Sequence, residues 1–281
     1  PITYNQKVAS IIKFFQNEGR SSFQKWLNRM SRYKPIILPI LEEEGVPPEL
    51  FYLAMIESGL NPKAYSYAHA SGVWQFISST GKVYGLKKNW WVDERRDIEK
   101  ATHAAARLLK DLHKEFDDWY LAFAAYNCGP SRVKKTIKRQ GTNDYWKLTR
   151  LPPQTRNYVA NIMAAIFISN NPAKYGFSLV KEKKMEWNIV EIDKAVSLQV
   201  ISECAKLDPI ILQNYNPELK QGTIPPIEKG KPYAFKMPIN ASPEFDSLFA
   251  EVEIEKFQEV LFLEHKVKRG ESLWLIARKY D

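Results

Sequence analysis

Residues 47–58, PPELFYLAMIES, read as a helix that is apolar on almost every side. Pro47 and Pro48 mark its start, and Gly59 followed by Pro62 marks its stop. Leu50, Leu53, Ala54 and Glu57 share one stripe at helical spacing, while Phe51, Tyr52, Met55 and Ile56 cover the other sides. A helix without a polar face must be enclosed by other elements, so this segment predicts a buried helix inside a helical lobe. One charged group intrudes, Glu57 in the last turn. An ionised carboxylate is costly to bury, and the negative end of the helix dipole lies at the same place, so both push its pKa upward. A carboxyl still protonated near neutral pH can serve as a general acid. A glutamate in a last turn is more commonly solvated or paired with Lys or Arg, and position alone leaves both readings open.

The enclosing segments lie on both sides of it. VASIIKFFQNEG and SSFQKWLNRMSRY carry helical periodicity near the start of the chain. IEKATHAAARLLKDLHKEF places Ala101, Ala104, Ala105, Leu108, Leu112 and Phe116 on a core stripe, whose small alanines let neighbouring helices approach closely. DDWYLAFAAYN is a further apolar helix, with Asp117 or Asp118 as its cap, and LPPQTRNYVANIMAAIFISN is another, started by prolines and followed by Pro172. Residues 1 to about 172 therefore predict an all-α lobe. The texture then changes: MEWNIVEID alternates like a strand, SLQVISECAKL and PIILQNYNPEL read as two short helices, and YAFKMP closes as a strand. A partial repeat follows, VSLQVIS at 196–202 matching ESLWLIA at 271–277, and it stops after its first helix. The acidic stretch SPEFDSLFAEVEIEKFQEV between the copies is expected to be a linker or short helix.

Charge and composition narrow the partners. A net charge of +9 suits an anionic partner, which composition alone cannot choose. The basic run SRVKKTIKRQG at 131–141 has neither zinc-finger spacing nor an aromatic RNA-binding signature beside it, so it is read as a solvated helix face and no nucleic acid is expected. No run approaches the roughly 18 apolar residues of a membrane span, and PITYNQKVAS contains no signal-peptide core. Cys128 and Cys204 fall in different modules and read as free thiols, and His69, His103, His113 and His265 are scattered, so neither a metal nor a histidine-based triad is expected. No cofactor is expected.

Four stretches downstream bear on Glu57. In SGVWQFISSTGKVYGL, Gly72 and Gly81 permit close approach of a ligand to main chain, and Gln75 and Thr80 add hydrogen-bonding groups; a plain loop over buried Trp74 and Phe76 is the alternative. In AYNCGP, Tyr126 and Asn127 emerge where an apolar helix stops; a buried tyrosine hydroxyl needs a partner, and a neutral carboxyl is a good one, although Asn127 reads equally as a helix C-cap. In TRNYV, Tyr158 shares a helical face with Ile162 and Ala165, as core tyrosines do. In NWWVDERRD, Asp93, Glu94 and Asp97 read as caps and partners of Arg95 and Arg96, and Trp90 and Trp91 as core.

The order ES, GVWQF, AYNCG, TRNYV resembles the soluble-type lytic transglycosylases, which share the fold of goose-type lysozymes. The longer runs GVWQFISSTGKVYGLKKNWWVDERRD, AYNCGPSRV and LPPQTRNYV look like the membrane-bound lytic transglycosylase D type, and VKRGESLWLIA and the β-α-α-β unit are similar to LysM modules. The resemblance covers almost everything beyond about residue 35. It implies a mainly α fold: a lysozyme-like catalytic domain over 1–180, a degenerate LysM-like βααβ module over 185–240, a linker over 241–263 and a truncated LysM repeat over 264–281. It also implies Glu57 as sole catalytic acid and base, supported by Ser58, Tyr126 and Tyr158, with Tyr126 orienting the carboxyl. Gln75, Phe76, Thr80 and Asn127 would contact substrate. Cys128 stands where family members often carry alanine. The implied reaction is cleavage of the β-1,4 bond from N-acetylmuramic acid to N-acetylglucosamine in peptidoglycan, closing a 1,6-anhydro ring without water. The implied setting is the periplasm, with any lipid anchor preceding Pro1, and a monomer is expected. The alternatives are a goose-type hydrolase, which needs a positioned water and a second acid, and a non-catalytic peptidoglycan-binding protein.

Overall fold

The computed structural model describes residues 2–227, 231–252 and 265–280. The chain opens with α1 (Gln6–Gln16) and α2 (Arg20–Glu43), followed by α3 (Phe51–Ser58), α4 (Ser78–Val83), α5 (Ile98–Phe116), α6 (Trp119–Cys128), α7 (Pro130–Gln140) and α8 (Pro153–Asn170). Asp97 caps α5 through bonds from the Glu99 and Lys100 amides, and Asp118 caps α6 through a 2.8 Å bond from the Leu121 amide. Asp117 instead ends α5 in the left-handed region, so the pair divides the work of stopping one helix and starting the next. α2 runs through Pro35 and Pro39, although each proline removes an intrahelical donor. Phe23, Leu27, Ile37 and Leu41 along its inner face are buried at 1% exposure or less, and that packing holds the helix together.

α3 sits inside this lobe, as its apolar surface requires. Phe51, Leu53, Ala54 and Met55 have no exposure, and α3 packs on α8 and α2. Alanines 101, 104, 105 and 106 line the buried side of α5 and allow it to lie against α6 and α2. One continuous core runs from Val8 to Phe177.

A second core is built by β1 (Trp187–Ile192), α9 (Leu198–Ala205), α10 (Pro209–Tyr215) and β2 (Tyr233–Pro238). The strands pair antiparallel, with Trp187 opposite Pro238 and Ile192 opposite Tyr233. The stretch expected as a linker contains α11 (Phe245–Ala250), whose Phe245 is buried in this second core; the remainder of that stretch, 253–263, lies outside the described residues. In the partial repeat, α12 (Leu273–Tyr280) leaves Leu273 and Trp274 exposed.

The two cores meet along residues 87–99. Val92 bridges Leu219, the Asp93 amide donates to the Glu218 carbonyl at 2.9 Å, and the Lys220 amide donates to the Trp91 carbonyl at 2.8 Å. Val92 itself belongs to the second core. Lys236 of β2 is buried at this junction, with its ammonium 2.7 Å from Asp97 and 3.2 Å from Glu99. Glu218 lies beside them and accepts from the Tyr233 hydroxyl at 2.9 Å. Burial first and the Asp97 charge second raise its pKa to about 7.

Candidate active site

The C-terminal end of α3 organises the site. Gly59 closes the helix at φ +60°, and its amide donates to the Met55 carbonyl at 2.8 Å. A Cβ at Gly59 would come within 2.1 Å of Trp26 Nε1, so only glycine both turns the chain and clears the indole. The helix therefore stops directly after Glu57 and Ser58. Glu57 is partly buried, and the Tyr158 hydroxyl donates to its Oε1 across 101 residues of sequence. Burial raises the Glu57 pKa to about 7, and the hydrogen bond from Tyr158 acts in the opposite sense. Tyr158 is itself 3% exposed, and burial and the nearby Glu57 carboxylate hold its phenol well above the usual range. It stays a neutral donor while Glu57 changes charge.

Ser58 and Tyr126 both direct their hydroxyls to carbonyls of the neighbouring loop. Ser58 Oγ donates to the Val73 carbonyl at 2.8 Å, and the Tyr126 hydroxyl donates to the Trp74 carbonyl at 2.6 Å. The Tyr126 hydroxyl is bonded to a loop carbonyl yet lies close enough to Glu57 for that carboxylate to raise its pKa, and the hydrogen bond on the carboxyl comes from Tyr158. Two successive carbonyls are thereby held, immediately before Gln75.

Gln75 adopts the left-handed region at φ +50°, and its Nε2 donates to the Gly72 carbonyl at 2.8 Å and the Ala64 carbonyl at 3.3 Å. Arg95 clips the loop shut. Its Nη1 donates to the His69 and Phe76 carbonyls, each at 2.8 Å, while Nε and Nη2 engage Asp93 at 2.8 and 2.7 Å. Gly72, at φ +84°, lies so close to this arginine's main chain that a Cβ would fall 1.7 Å from the Arg95 carbonyl oxygen. Trp74 is fully buried and donates from Nε1 to Thr102 at 2.9 Å.

Phe76 is 2% exposed, with its ring 6.4 Å from that of Tyr126, so it supports the loop as core and offers a ligand almost no surface. Thr80 is partly exposed on α4. Asn127 does not cap α6; Gly129 does, and the Asn127 Oδ1 accepts from the Thr155 hydroxyl at 2.7 Å. Cys128 and Cys204 are free, and burial raises the Cys128 thiol.

The acids of residues 93–97 are all engaged away from Glu57. Asp93 pairs with Arg95, Glu94 accepts from the Lys87 amide and pairs with Lys100 at 2.6 Å, and Asp97 caps α5 and pairs with Lys236. Trp90, expected in the core, is 60% exposed under the Lys220 ammonium, because its segment forms the outer rim of the junction. Trp91 packs partly buried against the second core. A cavity of about 1150 Å³ opens at this junction, lined by Trp90, Lys100, Pro225 and Tyr233 among others. Glu57, Gln75 and Asn127 are not among its walls, so this cavity and the α3 carboxyl are in different places. At the junction Asp93, Glu94 and Asp97 are each matched by a cation, while Glu218 Oε2 is buried without a hydrogen-bond partner. Among the described residues no group of three or more His, Cys, Asp or Glu is arranged to hold a metal, and no helix is long and apolar enough to cross a membrane.

Two family matches cover these regions. Residues 35–149 match the transglycosylase SLT domain, and residues 187–254 match the LysM-like domain of lytic transglycosylase MltD. A membrane-bound lytic murein transglycosylase D of Escherichia coli K12 is 36% identical over 190 residues, which are 66% of this chain and 42% of that protein. The chain thus spans less than half the length of that relative. The 70 kDa soluble lytic transglycosylase of Escherichia coli aligns at 20% identity and a TM-score of 0.45 over 61% of this chain and 32% of its own. The lytic transglycosylase Slt of Pseudomonas aeruginosa aligns at 22% identity and a TM-score of 0.43 over 51% of this chain and 24% of its own. Tyr158 and Thr155 lie beyond the matched SLT residues.

Proposed function

We propose that this chain, whose residues 35–149 are a transglycosylase SLT domain and residues 187–254 an MltD-type LysM-like domain, is a peptidoglycan lytic transglycosylase with Glu57 as its single acid and base. The observation that carries the reading is a partly buried carboxyl at a helix C-terminus, held near neutral pKa by burial and contacted by one neutral phenol. At pH 7 such a group is about half protonated, so it can give a proton and then take one back.

The sequence of events uses that property twice. Protonated Glu57 donates to the glycosidic oxygen between N-acetylmuramic acid and N-acetylglucosamine, and the bond from C1 to that oxygen breaks. The substrate's own 2-acetamido group stabilises the positive charge at C1. Carboxylate Glu57, still bonded by Tyr158, then accepts the proton of the muramic C6 hydroxyl as that oxygen attacks C1. The proton count closes on Glu57 and no water is consumed. An intramolecular nucleophile gains from proximity and removes the need for the second carboxylate that hydrolytic glycosidases use. That agrees with the engagement of Asp93, Glu94 and Asp97 elsewhere. Gln75, Thr80 and Asn127 are assigned to glycan binding, as the resemblance to lytic transglycosylases implies. The anionic stems of peptidoglycan suit the +9 chain.

Mass spectrometry of purified peptidoglycan digested by the wild type and by Glu57→Gln tests the reading. Products ending in 1,6-anhydromuramic acid, absent with the variant, are expected. Reducing-end products, heavier by one water, would make the enzyme a hydrolase. Binding to sacculi without release of any product would make it a binding protein.

A further inference from the structure

We infer that Thr155 is a positioning residue for substrate binding: its hydroxyl locks the Asn127 amide so that Asn127 presents N–H donors, and not its carbonyl, to the acetamido oxygen of a bound N-acetylated sugar. The inference rests on the proposed transglycosylase reading and adds to it a group outside the matched SLT residues.

The geometry begins with α8. Thr155 and Tyr158 are three residues apart in its first turns and so lie on one face. Tyr158 reaches Glu57 at the end of α3, and Thr155 reaches Asn127 in the last turn of α6. One helix face therefore sets the separation between the reacting carboxyl and the Asn127 amide. Thr155 is 1% exposed and cannot itself meet a substrate. Its placement is secured from behind, where the Tyr145 hydroxyl donates to the Thr155 carbonyl at 2.7 Å and accepts from the Val159 amide at 3.4 Å.

The hydroxyl decides which end of the amide faces outward. An asparagine side chain offers two N–H donors at one end and a carbonyl acceptor at the other. The Thr155 hydroxyl donates to Oδ1 at 2.7 Å, which turns Nδ2 away from α8. No bond from Nδ2 to any acceptor is found among the described residues, and Asn127 is only partly buried. A donor held in that way is matched by a carbonyl oxygen at that point, as an N-acetyl group supplies and a free ammonium does not. Without the hydroxyl the amide is free to turn, and the donor is presented only part of the time.

Steady-state kinetics on soluble, uncross-linked glycan strands test this with Thr155→Val, Thr155→Ser, Asn127→Ala and the double variant Thr155→Val/Asn127→Ala. Thr155→Val keeps the shape and removes the hydroxyl. The expected result is a KM raised about fivefold, the worth of one neutral hydrogen bond, with kcat and the pH midpoint of the falling limb held. Thr155→Ser restores the hydroxyl and recovers KM. The double variant is no weaker than Asn127→Ala alone, because both changes remove one interaction. A wild-type KM in Thr155→Val overturns the inference. So does a defect that Thr155→Ser fails to recover, or one that falls on kcat together with a moved pH midpoint, which would place the effect on Glu57 through α8. Glu57→Gln is assayed alongside. If it still cleaves, the transglycosylase reading has failed; if it is inactive while Thr155→Val matches wild type, only the Thr155 inference has failed.

Discussion

Tyr158→Phe removes the hydroxyl bonded to Glu57 and keeps the ring that fills the same buried space. A donor on a carboxylate favours the ionised form, so its loss raises the Glu57 pKa further above about 7. A hydrogen bond to a charged group contributes roughly 1.5–3 kcal/mol, and about 1.4 kcal/mol corresponds to one pKa unit. Glu57 is partly open to water, which places the shift at the lower end, about one unit. The assay is kcat/KM against pH on soluble glycan strands, whose falling limb reports loss of the proton that Glu57 must donate. That limb is expected to move from near pH 7 to roughly pH 8. At about pH 8 the protonated fraction rises from roughly one-tenth to one-half, so the acid form becomes about fivefold more abundant. The plateau falls at the same time, because the carboxyl has lost its only side-chain hydrogen bond among the described residues. A limb that stays in place or moves to lower pH would refute the account of what sets this pKa.

Two further outcomes concern stability. The folded Glu57 pKa lies above its ordinary value of 4.5, so its contribution is present in full below that value and is lost as pH rises through about 7. Glu57→Gln is therefore expected to leave stability unchanged at about pH 4 and to raise it by about 2 kcal/mol at about pH 8, after allowance for partial exposure, as read by urea unfolding at both pH values. Lys236→Met leaves Asp97 and Glu218 facing each other in a buried junction and is expected to cost roughly 3–5 kcal/mol. Adding Asp97→Asn, which keeps a capping side chain, should return part of that loss, and an unchanged unfolding midpoint in Lys236→Met would show that the junction carries little energy.

Much of the fold is written in local patterns. The apolar surround of PPELFYLAMIES, the alanine stripe of residues 101–105 and the β-α-α-β order after residue 185 all reappear as built elements. What local pattern cannot supply is the partner that overrides it. α2 continues through Pro35 and Pro39 because its buried face outweighs two missing donors, and nothing near residue 35 announces those contacts. The site divides in the same way. Glu57, Tyr126 and Tyr158 are recognisable as residue types near helix ends, but two buried tyrosines and one carboxyl admit either pairing. Which hydroxyl reaches Glu57 depends on the packing of α8 against α3, and the other finds a carbonyl at Trp74. Thr155 carried a usable signal, since it lies three residues before Tyr158 on a helix face. Its partner Asn127, 28 residues away, is visible only once α6 and α8 meet. Two adjacent tryptophans look like core, whereas the rim of a two-core junction leaves Trp90 in solvent and turns Trp91 partly inward.

Asp97 holds two posts, as the cap of α5 and as the counter-ion of Lys236. An exchange of the second core for an unrelated module would have to bring its own cation to the same point, or else accept a change at Asp97 that loosens the start of a helix in the first core. Substitutions on the two sides of the junction are therefore coupled in what they permit. Variation in the appended module is answerable to a helix of the first core, and the two parts are expected to drift as a pair through descent.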